Sequence, residues 1–343
     1  MSATITRPQT EEPKPPAPRP APARPVGSLH RRIAPYLFVS PFVLLFAVFG
    51  VWPILHSLVL AFYHTVTPSD QNFVGFKNFV NMFHDPDFWT AVKNTVIYTL
   101  FSVFLQLPLA LFLAIFLNVK WLKGRSFFRL AFFSPNLMGQ VFVGILFSVL
   151  FTSHYGLVNR ALFALTTSPL HIPGIGHTHW MEALVSKITI PLDTKWLTDP
   201  LWIMPALVLT SLWMYVGFNM IYFLAALQAV DKELYDAALV DGANPWQTFW
   251  AVTLPGIKPV AIFVLVTATI GSFQLFELPW IMLGNSAGAK NAGLTIVMYL
   301  YQWGFIHGNL GYASAVGWSL ALGVLVISLI QMRLTGALRR ADS

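Results

Sequence analysis

Thr267, Gly271, Gln274 and Glu277 follow one another at steps of three and four residues, so a helix would place them on one face. The row carries a hydroxyl, an amide and a carboxylate, which can hydrogen-bond a solute rich in hydroxyl groups. Glu277 is the one acid within a long apolar stretch, and such acids usually face a polar cavity. The row therefore predicts a binding face, although Glu277 could also simply be hydrated at the end of its stretch.

A second row has the same helical spacing in another apolar stretch and consists of Tyr215, Phe218, Asn219 and Tyr222. Aromatic faces beside a hydrogen-bonding side chain suit the mixed apolar and hydroxyl surface of a sugar. The alternative interpretation is that the two tyrosines pack between helices or lie at a membrane surface. Catalysis is not indicated, because the apolar stretches contain no His/Asp/Glu constellation and the chain has no G-x-x-x-x-G-K-[ST] loop for ATP.

The composition is that of a membrane protein. Of the 343 residues, 56% are hydrophobic and 10% are charged, against about 25% charged in soluble domains. Stretches of about 20 apolar residues cross the hydrocarbon of a bilayer, and six are found, at 36–62, 92–117, 130–151, 201–227, 260–283 and 313–332. The expected fold is all-α with six transmembrane helices, and the absence of cysteine excludes disulfides and thiolate chemistry.

Basic residues are concentrated in the N-terminal tail, the connection between the second and third stretches, and the C-terminal tail. The positive-inside rule therefore predicts that both termini are cytoplasmic. The same rule places the connection 228–259 in the cytoplasm and the long loop 153–200 outside. The expected organisation is a disordered Pro-rich tail at 1–32, a membrane domain at 33–335 and a basic tail at 336–343.

The cytoplasmic connection has the pattern of two short helices. Good helix formers fill 232–240, and Gly242 then breaks the pattern. Asn244 followed by Pro245 is typical of an N-cap and a first helical position. We expect the second helix to end at Leu254-Pro255, so that the two helices form an elbow that a partner could approach closely.

This connection resembles the EAA loop of ABC importer permeases: E-A-A, three residues, G, nine residues, I, any residue, L-P. The spacing matches throughout, with Asp where Glu is usual and Val where Ile is usual, so charge and β-branching are kept. The resemblance implies that the segment docks on an ATPase subunit and couples its ATP cycle to the membrane helices. The residues that it assigns to coupling are Asp236, Ala237, Ala238, Asp241, Gly242, Val252, Leu254 and Pro255.

The resemblance covers nearly the whole chain beyond the tail and is strongest to the maltose-type branch of the sugar and glycerol-phosphate permeases. Segments such as FVGFKNFVNMFHDPDFW and YQWGFIHGNLGYASAVGW carry it. It implies the type I ABC importer permease fold and a multi-pass protein of the bacterial cytoplasmic (inner) membrane. It also implies that the substrate-contacting positions lie on the fourth and fifth spans, where the two polar rows lie.

Several partners are implied by the same resemblance: a second, different permease subunit, two ATPase subunits that use ATP and Mg²⁺, and an extracytoplasmic sugar-binding protein. This chain would bind no cofactor and no nucleic acid, and it would form half of a path for a di- or oligosaccharide within the lipid bilayer. The alternative function is an ion-driven secondary carrier or channel, which would call for internal repeats and a cluster of buried charges.

The long outer loop contains His171, His177, His179 and Glu182, which are residue types that ligate zinc. No pair of these histidines has the spacing of a helical or finger site, so a solvated loop explains them and no metal is predicted. We expect the loop to contact the external binding protein instead.

Overall fold

The computed structural model describes a largely helical chain over residues 28–67, 70–119, 122–153, 155–161 and 194–336. The chain divides into two compact units, Met1–Leu55 and His56–Ser343. In the first unit, helix α1 (Ser28–Phe46) is followed by a π-helical turn at Ala47–Val51. Helix α2 (Trp52–Leu60) begins in the first unit and ends in the second.

A β-hairpin near the start of the second unit departs from the all-α expectation. Strand β1 (Tyr63–Thr67) pairs antiparallel with strand β2 (Asp70–Phe73). The Thr65 hydroxyl accepts a hydrogen bond of 2.9 Å from the backbone N–H of Gly311. These strands are too short and polar to register in a search for apolar spans.

The rest of the second unit is helical where the structure describes it. In order it contains α3 (Lys77–His84), α4 (Pro86–Asn118), α5 (Arg125–Phe133), α6 (Gln140–Leu150), α7 (Pro200–Ala229), α8 (Lys232–Val240), α9 (Pro245–Thr248), α10 (Leu254–Phe273), α11 (Glu277–Met282), α12 (Ile296–Tyr301) and α13 (Leu310–Leu334). Five helical stretches in the described residues are long and apolar enough to span a membrane: Pro35–Leu60, Pro86–Asn118, Pro200–Ala229, Pro245–Phe273 and Leu310–Leu334. A sixth is present if α5 and α6 together form one bent span, which agrees with the six expected spans.

The third expected span, 130–151, is broken rather than continuous. The chain leaves α5 through a 3₁₀ turn at Ser134–Leu137, and α6 starts only at Gln140, after an extended Gly139. Pro135 lies in that turn and has no backbone N–H with which to continue a helical ladder. The two helical parts consequently meet at a bend of 99°.

The fifth expected span, 260–283, ends as a helix at Phe273. Phe276 has non-helical angles (φ −140°, ψ −60°), and α11 begins anew at Glu277. The Thr295 hydroxyl donates a 2.7 Å hydrogen bond to the carbonyl oxygen of Leu275 within this break. A buried acceptor that lacks a helical partner is thereby satisfied, which is why the interruption can exist in an apolar sequence.

The expectation that Leu254-Pro255 ends a helix is wrong. Helix α9 continues through a π-helical turn at Phe249–Thr253 into α10, and Pro245–Phe273 is one helical stretch. The N–H of Leu254 bonds the carbonyl oxygen of Phe249, five residues back. Pro255 cannot donate to the usual i−4 carbonyl, and the wider π turn lets the helix pass this proline without ending.

Helix α7 packs along α4 and is the most buried of the spans. The hydroxyls of Ser102 on α4 and Ser211 on α7 lie 3.1 Å apart. A Cβ at Gly217 would overlap the carbonyl oxygen of Phe132, so only glycine allows α7 to pass this close to α5. The break after α10 and helix α6 contribute to one buried cluster with α4 and α7.

Candidate functional site

A cavity of about 380 Å³ lies among α4, α6, α7, α10 and α11. Its volume is in the range of small-molecule binding sites, which is about 300–1,000 Å³. The wall combines aromatic rings with amide groups, hydroxyl groups and a carboxylate, so it can present both apolar faces and hydrogen-bonding partners to a solute.

The structure brings most of the two polar rows to this cavity. From α7 the wall includes Tyr215, Phe218 and Asn219, and from α10, α11 and the break between them it includes Thr267, Gly271, Gln274 and Glu277. The break changes how the second row is built, because Gln274 and Glu277 do not continue the helix that carries Thr267.

Tyr222 is the one member of the two rows that is not part of the cavity wall. It stacks edge-on against Phe218, with ring centroids 5.1 Å apart, and lies 5.7 Å from the ring of Phe263. Its position fits the alternative interpretation of an aromatic side chain that packs between helices, where it supports Phe218.

Sequence reasoning missed four polar residues of the wall: Tyr98, Gln106, Gln140 and Ser272. The first two lie on α4 at a spacing of eight residues, two helical turns apart, so polar residues in the second span could have been found by the same test as the others. Gln140 could not be found in this way, because it lies at the wall only where α6 begins after the bend.

Polar side chains lie beside the two tyrosines of the cavity. The Tyr215 hydroxyl lies near the Gln140 side chain, and the Tyr98 hydroxyl lies near those of Ser102 and Ser211. The Thr267 hydroxyl donates to the carbonyl oxygen of Phe263 at 2.8 Å. Its oxygen is therefore left to accept a hydrogen bond from a solute.

A second candidate surface is formed by α8, α9 and the turn between them. The prediction of an N-cap at Asn244 is confirmed: its side chain accepts from the N–H of Gln247, and the Gln247 side chain accepts from the N–H of Asn244. Gly242 has φ +74°, a left-handed conformation that favours glycine. The elbow between the helices is therefore built from a glycine turn followed by a closed capping box.

The residues assigned to coupling differ in exposure. Exposed members are Asp236, Ala237, Asp241, Gly242 and Pro255, whereas Ala238, Val252 and Leu254 are half-buried. The Tyr235 hydroxyl lies 3.2 Å from the Thr253 hydroxyl and ties α8 to the π turn.

Large apolar side chains beside these positions were not anticipated from the sequence. Val240 is 87% exposed, and Trp246 and Trp250 are 69% and 52% exposed. The two tryptophan rings lie 5.7 Å apart. Such a cluster on an exposed elbow is typical of a surface that a partner covers.

Two expectations concern the outer loop, and both lie outside the described residues. The set His171, His177, His179 and Glu182 belongs to this part of the chain, as does most of the loop expected to contact a binding protein. Among the residues that the structure does describe, no cluster of three or more His, Cys, Asp or Glu could hold a metal ion.

A polar cavity between helices that can span a membrane, together with an exposed elbow on one connection, defines a membrane transport subunit that works with partners. The model of the family "binding-protein-dependent transport system inner membrane component" matches residues 88–341. The chain belongs to this family, whose members are the non-catalytic permease subunits of ABC importers. It is a multi-pass protein of the inner membrane and works with a second permease and with ATPase subunits.

Similar proteins of known role support this assignment. The chain is 37% identical to the arabinooligosaccharides permease AraP of Bacillus subtilis over 90% of each chain. It is 36% identical to the lactose permease LacF of Rhizobium radiobacter, over 86% of this chain and 92% of that one. Among solved structures, a bacterial ABC transporter that imports the acidic polysaccharide alginate matches with a TM-score of 0.72 and 26% identity, over 90% of this chain and 97% of that chain.

Proposed function

We propose that this permease forms half of the translocation path for a di- or oligosaccharide, and that the cavity is its part of that path. The observation that carries this proposal is the composition of the wall, in which Tyr215 and Phe218 alternate with Asn219, Thr267 and other hydrogen-bonding groups. Sugars present apolar faces and a dense set of hydroxyls, and this wall offers partners for both. Relatives named for arabino-oligosaccharides and for lactose point to the same class of solute.

The elbow around Gly242 is proposed to dock on an ATPase subunit, which supplies the site for ATP and Mg²⁺. Helix α9 is continuous with α10, and the 29 residues of Pro245–Phe273 span roughly 40 Å at about 1.5 Å per residue. Thr267 and Gly271 lie on this same stretch. A movement of the docked elbow would therefore reach the cavity wall through one continuous helical stretch.

An ion-driven carrier is the competing function. Carriers of that kind use clusters of ionisable groups at membrane depth. Glu277 is the one Asp, Glu, Lys, Arg or His on the described cavity wall, and the exposed aromatic elbow would have no role in such a protein. The importer function accounts for both features.

Uptake into proteoliposomes tests the proposal. The importer, assembled with its partner permease, ATPase and binding-protein subunits, should take up a neutral oligosaccharide only when ATP is supplied to the ATPase side. The panel would contain arabinotriose, lactose and maltose, with glycerol 3-phosphate as a charged comparison. Uptake by this chain alone, driven by a proton or sodium gradient, would contradict the proposal.

A further inference from the structure

We propose that Glu277 acts as a charge filter in the cavity, which admits neutral sugars and rejects sugars that carry a carboxylate or a phosphate. This inference rests on the proposed function and names the class of solute that the same site accepts. Its basis is the place of one carboxylate in a wall that otherwise holds uncharged groups.

The start of α11, which carries this carboxylate, is held in place by its neighbours. Glu277 is the first residue of α11, it is exposed, and it lines the cavity. The next residues, Leu278 and Pro279, are buried and hold the start of α11 in the core. Further along α11, Ile281 packs against Gly144 of α6 so closely that an added Cβ would lie 3.1 Å from it. The backbone that carries Glu277 is therefore anchored on both sides.

No positive group balances this carboxylate within the cavity. Among the described residues of the wall there is no Lys, Arg or His, and the other polar groups are amides and hydroxyls such as Gln140, Asn219 and Gln274. These groups can hydrogen-bond a hydroxyl, but they do not neutralise an anion. A second negative charge in the cavity would face Glu277, and like charges repel each other.

The fold alone does not decide whether neutral or acidic sugars are accepted. The solved transporter with the same fold imports the acidic polysaccharide alginate. Function in shared folds is set by individual side chains at the site, and the chain described here presents a carboxylate to its cavity. We therefore expect opposite charge selection on a common scaffold.

The test compares a neutral oligosaccharide with the same oligosaccharide oxidised to a terminal uronic acid. The complete importer is used as wild type, as Glu277→Gln and as Glu277→Asp, and uptake is normalised to the occupancy of the binding protein by each probe. The wild type should transport the uronate at least about tenfold more slowly than the neutral probe, and Glu277→Gln should remove most of this difference, about one factor of ten. Glu277→Asp should keep the difference, because it keeps the charge.

A second measurement covers the case in which the binding protein does not load the uronate. Equilibrium binding of both probes to the detergent-solubilised permease–ATPase complex reports on the cavity without the binding protein. The same preference for the neutral probe, lost in Glu277→Gln, supports the charge filter. The charge filter is overturned if the wild type binds the neutral and uronate probes equally well. It is also overturned if Glu277→Gln keeps the wild-type preference for the neutral probe. Absence of uptake and binding of any neutral sugar would instead refute the proposed function.

Discussion

Replacing Gly242 with aspartate should abolish ATP-driven uptake while the chain still inserts into the membrane. Gly242 has φ +74°, which costs about 1 kcal/mol for a residue with a Cβ. It lies on the exposed elbow, and an added Cβ would meet no atom of this chain within 4 Å. The damage should therefore come from a new charge and a distorted turn at the surface that we propose docks on the ATPase. Uptake, ATPase stimulation and the amount of inserted protein are measured together.

Two variants separate the possible causes. Gly336 follows the last turn of α13 with φ +75° and equally open surroundings, so Gly336→Asp imposes the same local strain and charge elsewhere. It should keep near-normal uptake. Gly242→Asn adds a side chain that tolerates the left-handed region but carries no charge, and it should retain part of the activity. Normal uptake by Gly242→Asp would contradict the proposal that the elbow couples the ATPase to the membrane helices.

Filling the cavity from Gly271 should stop transport without unfolding the protein. Gly271 lines the cavity, and a Cβ added there meets no atom within 4 Å. A phenyl group from Gly271→Phe would thus occupy the space of the solute rather than displace a neighbouring helix. Sugar uptake should fall to background, whereas thermal unfolding in detergent and assembly with the ATPase should stay close to wild type.

The matched control is Gly323→Phe. Gly323 is also an exposed glycine within a spanning helix, α13, and it also has no atom within 4 Å of an added Cβ. It is not part of the cavity wall. Uptake by this variant should be near normal. Near-normal uptake by Gly271→Phe as well would show that the cavity is not the path.

The sequence correctly predicted features that depend on residues close together in the chain. Apolar length located the spans, and the fixed gaps around Gly242 gave the family that the comparison confirms. The Asn244 cap was also predicted correctly, because a capping box needs residues only three positions apart. Helical spacing identified most of the cavity residues before their neighbours were known.

The interruptions were missed because tertiary contacts support them. Apolar composition around Glu277 resembles that of an unbroken span, and the break exists because Thr295, twenty residues away from Leu275, satisfies its carbonyl. The bend before Gln140 likewise brings that amide to Tyr215. A pattern based on 3.6 residues per turn does not predict a helix end that a distant side chain stabilises.

If the ATPase moves the cavity wall through the elbow, as proposed, its ATP cycle should open the cavity to alternate sides of the membrane. The most direct test of this claim uses the absence of cysteine from all 343 residues. Thr267→Cys places one thiol on the cavity wall, and its reaction with a membrane-impermeant maleimide is read by mass spectrometry of this chain in the complete importer. The thiol should react from the cytoplasmic side without nucleotide, and from the opposite side when ATP and vanadate hold the ATPase subunits closed. Reaction from one side in both states, or from neither, would contradict the account.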